Sequence, residues 1–208
     1  MPETKTIYIL DDDPAVRDAL AILVKSVQLN ALEFSTADEF LAAFDENLPG
    51  CLITDVYLPG MDGVSLQKHL TQMKSQIPII VMSGHGDIPL AVKMIRRGAL
   101  DFIEKPFSNH HMLGRIQQAL NLDAERRNTA SKINLSEQFY ATLTPREKEV
   151  SEYLISGLPN KVIAAQMSVS PRTIETHRAN ILRKMNSDSV LSLAQKIAGM
   201  RIDSKASH

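Results

Sequence analysis

The sequence predicts an α/β domain built on a five-stranded parallel sheet, followed by a small all-helical domain. Three observations carry that prediction. Strand-like apolar runs alternate five times with helix-period segments up to residue 122, no later segment reads as a strand, and the charge balance changes along the chain. Residues 1–122 hold 10 Lys/Arg against 15 Asp/Glu, residues 123–139 hold 3 against 3, and residues 140–208 hold 10 against 6. An acidic front and a mildly basic rear indicate two modules with different partners, and leave nucleic acid open as the partner of the second.

The strands are read at 6–10, 31–34, 51–54, 77–82 and 101–104, where Ile, Leu, Val, Tyr and Phe cluster in short runs. Helices are read between and after them near 14–27, 36–46, 63–74, 88–97 and 108–122. Such β-then-α repeats build a parallel sheet covered on both faces, and crossover connections bring every strand's carboxyl end to one edge. From 123 the stretch "DAERRNTASKINLSEQ" is polar and reads as a helical extension followed by a linker, covering 123–139. The helical domain, 140–202, opens at Thr144-Pro145-Arg146-Glu147, a capping box with Pro at the first helical position. That helix reaches about Ser156, where Gly157, Leu158 and Pro159 stop it. A short helix follows at 160–167. Another opens at Ser170-Pro171, again an N-cap followed by Pro, and a fourth covers roughly 188–199.

Composition narrows the class of protein. With 44% hydrophobic and 23% charged residues, the chain has the make-up of a soluble globular protein. No apolar run approaches the roughly 18 residues a membrane span requires, and the N-terminus lacks a signal-peptide pattern, so no membrane partner is expected. Cys51 is alone and cannot form an intrachain disulfide, which fits a reducing cytoplasm.

The stretch "IYILDDDPAVRDAL" packs three carboxylates at the end of an apolar strand, and like charges so placed need a cation among them. The parallel sheet supplies neighbours. The first strand ends at Asp11 and Asp12, the third at Asp55, the fourth at Ser83 and the fifth at Lys105. Open α/β sheets bind ligands along that edge. Two or three carboxylates, a hydroxyl and an ammonium suit Mg²⁺, which prefers oxygen ligands, and the "VYLPGMDG" loop can bend the Tyr57 carbonyl toward it. Asp55, central in the sheet, is placed to attack a phosphoryl group and become an acyl phosphate, with Lys105 and Ser83 on the equatorial oxygens. An Asp after a strand is often merely an N-cap; four strand ends acting together are what point to chemistry.

"ILDDDPAVR", "CLITDVYLPGMDG", "PIIVMSGHGD" and "GALDFIEKPF" resemble the receiver domain of two-component response regulators, and "SGHGD" with "DFIEKPF" is similar to the FixJ branch. The resemblance covers 5–122. It implies a flavodoxin-like strand order 2-1-3-4-5 and phosphoryl transfer from a sensor histidine kinase to Asp55. Asp12, Asp55 and the Tyr57 carbonyl would ligate Mg²⁺, Asp11 would act through water, and Asp13 would cap the following helix. It implies a cis Lys105-Pro106 bond, and a switch in which Ser83 moves toward the phosphoryl group and Phe102 swings inward. That switch would favour a homodimer through the fourth helix and fifth strand. A rival reading, a haloacid-dehalogenase-like phosphatase using Asp11 and Asp13, expects Thr or Val where Ala15 stands and a cap insertion for which there is no room. The chain is therefore expected to be a regulator without a turnover substrate.

"NKVIAAQMSVSPRTIETHRANILRKM" has the helix–turn–helix spacing of a DNA-binding unit. On a helical wheel Ile174, His177, Ile181 and Met185 share the face that packs inward. The opposite face carries Arg172, Glu175, Thr176, Ala179 and Arg183, with Thr173 beside them. Glu175 could accept from a cytosine amino group, Thr176 could touch a thymine methyl, and Arg172 could read guanine or hold phosphate. Asn160 and Lys161 are candidates for phosphate contact, while Arg178 is expected at the edge of the packed face. "LTPREKEV", "GLPNKVIA" and "SPRTIETHRANIL" resemble the LuxR-type effector domain, which implies double-stranded promoter DNA, and RNA polymerase as a further partner. Val190, Leu193, Ala194 and Ile197 form a stripe on the last helix that suits either a dimer seam or the domain's own core.

Overall fold

The computed structural model describes residues 5–206 and divides between Arg127 and Asn128 into two compact units. The first contains β1 (Thr6–Leu10), α1 (Pro14–Ser26), β2 (Asn30–Phe34), α2 (Ala37–Ala43), β3 (Gly50–Asp55), α3 (Gly63–Gln72), β4 (Ile79–Ser83), α4 (Ile88–Arg96), β5 (Asp101–Glu104) and the beginning of α5 (Asn109–Ala141). The sheet is wholly parallel in the order β2-β1-β3-β4-β5, as expected.

Side-chain alternation builds two cores from one sheet. Ile7 and Ile9 of β1 join Ile53, Met82 and the buried residues of α1 and α5 on one face. Tyr8 and Leu10 point the other way, into Phe40, Leu52, Leu66, Val81 and Met94. Every residue of β1, β3 and β4 is buried, whereas edge strand β2 is half open. Gly50 begins β3 where backbones crowd: a Cβ there would stand 1.9 Å from the Thr6 carbonyl oxygen.

Several boundaries differ from the sequence reading, α9 among them in running to Ala206 instead of about 199, and three of the differences have local reasons. Helix α2 stops at Ala43 because Phe44 turns into the aromatic cluster, its ring 5.6 Å from that of Tyr8. Strand β4 starts at Ile79, after Pro78, which has no N–H to give a ladder. The segment read as an extension and linker is helix throughout, since α5 runs unbroken to Ala141. No Gly or Pro lies between Gly114 and Pro145, and polarity alone does not end a helix.

The second unit comprises the end of α5 with α6 (Pro145–Ile155), α7 (Asn160–Gln166), α8 (Pro171–Lys184) and α9 (Val190–Ala206). Its core gathers Val150, Leu154, Ile163, Ile174, Ile181, Met185, Leu193 and Ile197, with Ile133, Phe139 and Tyr140 of α5 packed against it. Leu193 and Ile197 are almost completely buried, so the α9 stripe serves the domain's own core.

Candidate functional site

The register of β1, β3, β4 and β5 sets Asp11, Asp55, Ser83 and Lys105 on neighbouring strand ends of one sheet edge. Lys105 Nζ donates to Asp11 Oδ2 at 2.6 Å and also to Asp55 Oδ2. The side chains are 1% exposed for Asp11, 10% for Asp55 and 20% for Lys105, so all three are largely withdrawn from water. Burial pushes the Asp11 carboxyl above the ordinary carboxylate range, and its bond from Lys105 offsets part of that shift. Burial also disfavours the Lys105 ammonium, but its bonds to Asp11 and Asp55 outweigh this and hold it charged above its usual value.

Asp11, Asp13 and Asp55 each have their own anchor. Asp55 Oδ1 accepts the Tyr57 N–H at 2.9 Å, and the following loop folds back as Gly63 donates to the Val56 carbonyl at 2.9 Å. Gly63 sits so near that a Cβ would lie 2.5 Å from the Asp55 carbonyl oxygen. Asp11 Oδ1 accepts the Asp13 N–H, and Asp13 caps α1 through the Ala15 N–H at 2.9 Å. Asp12 is exposed, and among the described residues its carboxylate has no protein partner. Ser83 is fully buried; its hydroxyl donates to the His85 carbonyl at 3.1 Å and accepts the His85 N–H at 3.2 Å. The Lys105-Pro106 bond is cis. Phe102 is half-buried against the core on the α2–α3–α4 face.

Arg17 escaped the sequence reading. Its guanidinium donates to the carbonyls of Asp11 at 2.7 Å and Asp12 at 3.1 Å, fixing the backbone on which the acids stand. A cation in the first turns of a helix opposes the macrodipole, and that misfit was the available signal.

In the second unit, Arg172, Glu175, Thr176, Ala179 and Arg183 are exposed along α8, while Ile174, Ile181 and Met185 are buried. His177 is half-buried, and Arg178 is exposed. Thr173 is half-buried, with its hydroxyl 2.8 Å from that of Ser170, the helix N-cap. Lys161 is exposed and Asn160 half-buried at the start of α7. The capping box at Thr144 and Glu147 is present, and Glu147 has a second duty: its carboxylate receives Lys184 Nζ at 2.6 Å, tying the end of α8 to the start of α6. Lys196 adds a cap, donating to the carbonyls of Met185 at 2.9 Å and Asn186 at 2.5 Å.

Burial opposes the Glu147 charge, but the bonds from Lys184 and Thr144 outweigh it and hold the carboxyl below its ordinary value of 4.5. A group depressed in the folded state stabilises it above the unfolded pKa and loses that contribution as pH falls through the folded one. Glu147→Gln should therefore destabilise the helical unit by about 1–3 kcal/mol at neutral pH. The difference from wild type should shrink as acid protonates Glu147, in denaturant melts followed by helical circular dichroism.

A parallel sheet that sets a central carboxylate beside an ammonium and a buried hydroxyl, joined to a helix-turn-helix unit, defines a receiver with a DNA-binding output domain. The chain belongs to the response regulators: residues 7–117 match the response regulator receiver domain, and 141–197 match the bacterial regulatory proteins of the luxR family. It is 43% identical to the response regulator protein TodT of Pseudomonas putida, covering 91% of this chain and 83% of that one. It is 40% identical to the transcriptional regulatory protein FixJ of Bradyrhizobium diazoefficiens, over 91% and 92% of the two. The solved structure of the response regulator StyR superposes with a TM-score of 0.82 at 37% identity, over 94% of this chain and 98% of that one. This chain is thus a FixJ-like transcriptional response regulator. Among the described residues, no helix is long and apolar enough to cross a membrane.

Proposed function

We propose that Asp55 accepts a phosphoryl group from a sensor histidine kinase in the cytoplasm, and that the modified receiver pairs with a second copy so that two α8 helices engage promoter DNA. The observation that carries this reading is the Lys105 ammonium bound to both Asp11 and Asp55. Two buried acids share one cation, with a third, Asp12, beside them. The cluster thus keeps an excess of negative charge that favours a further cation.

The donor set fits Mg²⁺. Among the described residues no group of three or more His, Cys, Asp or Glu is disposed as a metal cage. A few carboxylates and a backbone carbonyl are nonetheless the partial set that this ion, which retains waters, commonly takes. Asp12, Asp55 and the Tyr57 carbonyl would hold it, with Asp11 acting through water. When bound it would neutralise charge on the phosphoryl oxygens.

The protein's own groups supply the rest. The Tyr57 N–H orients the Asp55 carboxylate for in-line attack, and Lys105 can turn from Asp55 to a phosphoryl oxygen once the aspartate charge is consumed. Ser83 must release the His85 backbone to bond the same group, so phosphorylation loosens the loop between β4 and α4. Phe102 then fills the space on that side, and the α4–β5 face changes shape. That face is prepared for a partner: Ile88, Val92 and Ile95 stand 74%, 44% and 43% exposed along α4. Pairing receivers raises the effective concentration of the second helix-turn-helix at an adjacent half-site.

Labelling with radioactive acetyl phosphate, followed by sizing and footprinting, tests the reading. Mg²⁺ should permit label, dimer and an extended footprint together. EDTA should remove all three, and no phosphomonoester should be turned over. Dimerisation without label would overturn the switch.

A further inference from the structure

Helix α4 is lightly held. Within it Met94 alone is buried, whereas α3 beside it buries Gly63, Leu66, Gln67 and Leu70. The Met94 side chain enters the core on that face of the sheet, and its carbonyl is a meeting point for three donors. The N–H groups of Arg97 and Ala99 both reach it at 3.1 Å, because Gly98, at a φ of 98°, turns the chain back over the helix end. The third donor is Gln67 Nε2, at 3.0 Å, from across the α3–α4 seam. Gln67 is 2% exposed, and among the described residues its Oε1 meets no donor.

A buried amide with one half unpaired is less favourable than an apolar side chain of the same size. Packing therefore does not account for Gln67; its bond to α4 does. That bond is easily surrendered. The Met94 carbonyl keeps two backbone donors without it, and Gln67 is only half satisfied while it is made. Such a bond biases a position without fixing it. We infer that Gln67 is a releasable catch, which holds the carboxyl-terminal end of α4 against α3 in the unphosphorylated receiver. It opens when Ser83 leaves the His85 backbone and frees the other end of the helix. The inference rests on the reading that phosphorylation moves α4, and it adds what sets the resting bias. While the catch is closed, Ile88, Val92 and Ile95 are kept out of register with a second copy. A pair built from the α4–β5 face of both copies opens two catches.

Sedimentation equilibrium of the full chain, with and without Mg²⁺ and acetyl phosphate, tests this on wild type, Gln67→Leu and Gln67→Met. Without phosphodonor, either variant should dimerise about 25-fold more tightly than wild type, roughly fivefold for the loss of each hydrogen bond. The gain should persist when Asp55→Asn is added, since it needs no phosphoryl group. With acetyl phosphate the variants and wild type should converge. Both variants should melt no lower than wild type, because the unpaired acceptor leaves together with the donor. At concentrations where all are monomers, amide exchange should be faster in α4 of the variants and unchanged in α3. Variants that stay monomeric without phosphodonor, while acetyl phosphate dimerises them as it does wild type, would overturn the catch and leave the α4 switch standing. Wild type that acetyl phosphate labels but does not dimerise would remove the switch itself, and the catch with it.

Discussion

Asp55→Asn should abolish phosphate incorporation from acetyl phosphate, and with it phosphate-dependent dimerisation and the extended footprint. The substitution is nearly isosteric. An Asn oxygen can still accept the Tyr57 N–H that Asp55 Oδ1 receives at 2.9 Å, so the loop that folds back through Gly63 keeps its anchor. What disappears is the nucleophile, because an amide oxygen does not attack phosphorus at a useful rate. Lys105 retains Asp11 at 2.6 Å, and the pocket loses one unit of negative charge. The fold should therefore be at least as stable as wild type, and melting the variant checks that the loss is chemical. Label that persisted in Asp55→Asn would move the acceptor to another acid, with Asp12 first in line because its carboxylate is exposed and unpaired among the described residues.

The acidic edge of the sheet was legible because strand ends can be counted. Once five apolar runs are assigned to a parallel sheet, the residue after each run must lie on one edge, and Asp11, Asp55, Ser83 and Lys105 follow without side-chain geometry. The capping box at Thr144 and the outward face of α8 were legible for the same reason: both depend on spacing along one helix. Contacts made across the chain were not. Glu147 reads as a cap, and nothing local says that it also holds Lys184, 37 residues away. Arg17 reads as a surface cation, yet its partners are carbonyls five and six residues back in a loop whose path the sequence leaves open.

The largest omission lies at the far end of the sheet, and it carries the second strong prediction. Asp123 falls in the stretch read as an extension and linker, but it is 2% exposed. Its Oδ2 accepts the Gly50 N–H at 3.0 Å, at the start of β3, and both oxygens receive Arg127 Nε. The Arg127 guanidinium continues to the carbonyls of Glu46, Asn47 and Leu48, at 2.8, 3.0 and 2.5 Å, and Arg126 donates to the Gln76 carbonyl at 2.7 Å. This part of α5 is thus a clamp on the loops that enter β3 and β4, which a polar sequence cannot announce. Asp123→Ala would leave the Gly50 N–H without its acceptor and Arg127 without its counterion. Breaking a buried pair by removing one partner costs about 3–5 kcal/mol. The receiver should lose about that much stability, about 12–20 °C in melting temperature for a unit of this size. Amide exchange on the full chain would localise the loss, with protection falling in β3 and in α5 up to Arg127 while α6 to α8 stay as protected as in wild type. Arg127→Lys should fall between the two, because one ammonium cannot reach three carbonyls and a carboxylate together. Equal protection in β3 for wild type and Asp123→Ala would show that the neighbouring apolar packing, not the clamp, holds the strand's entry.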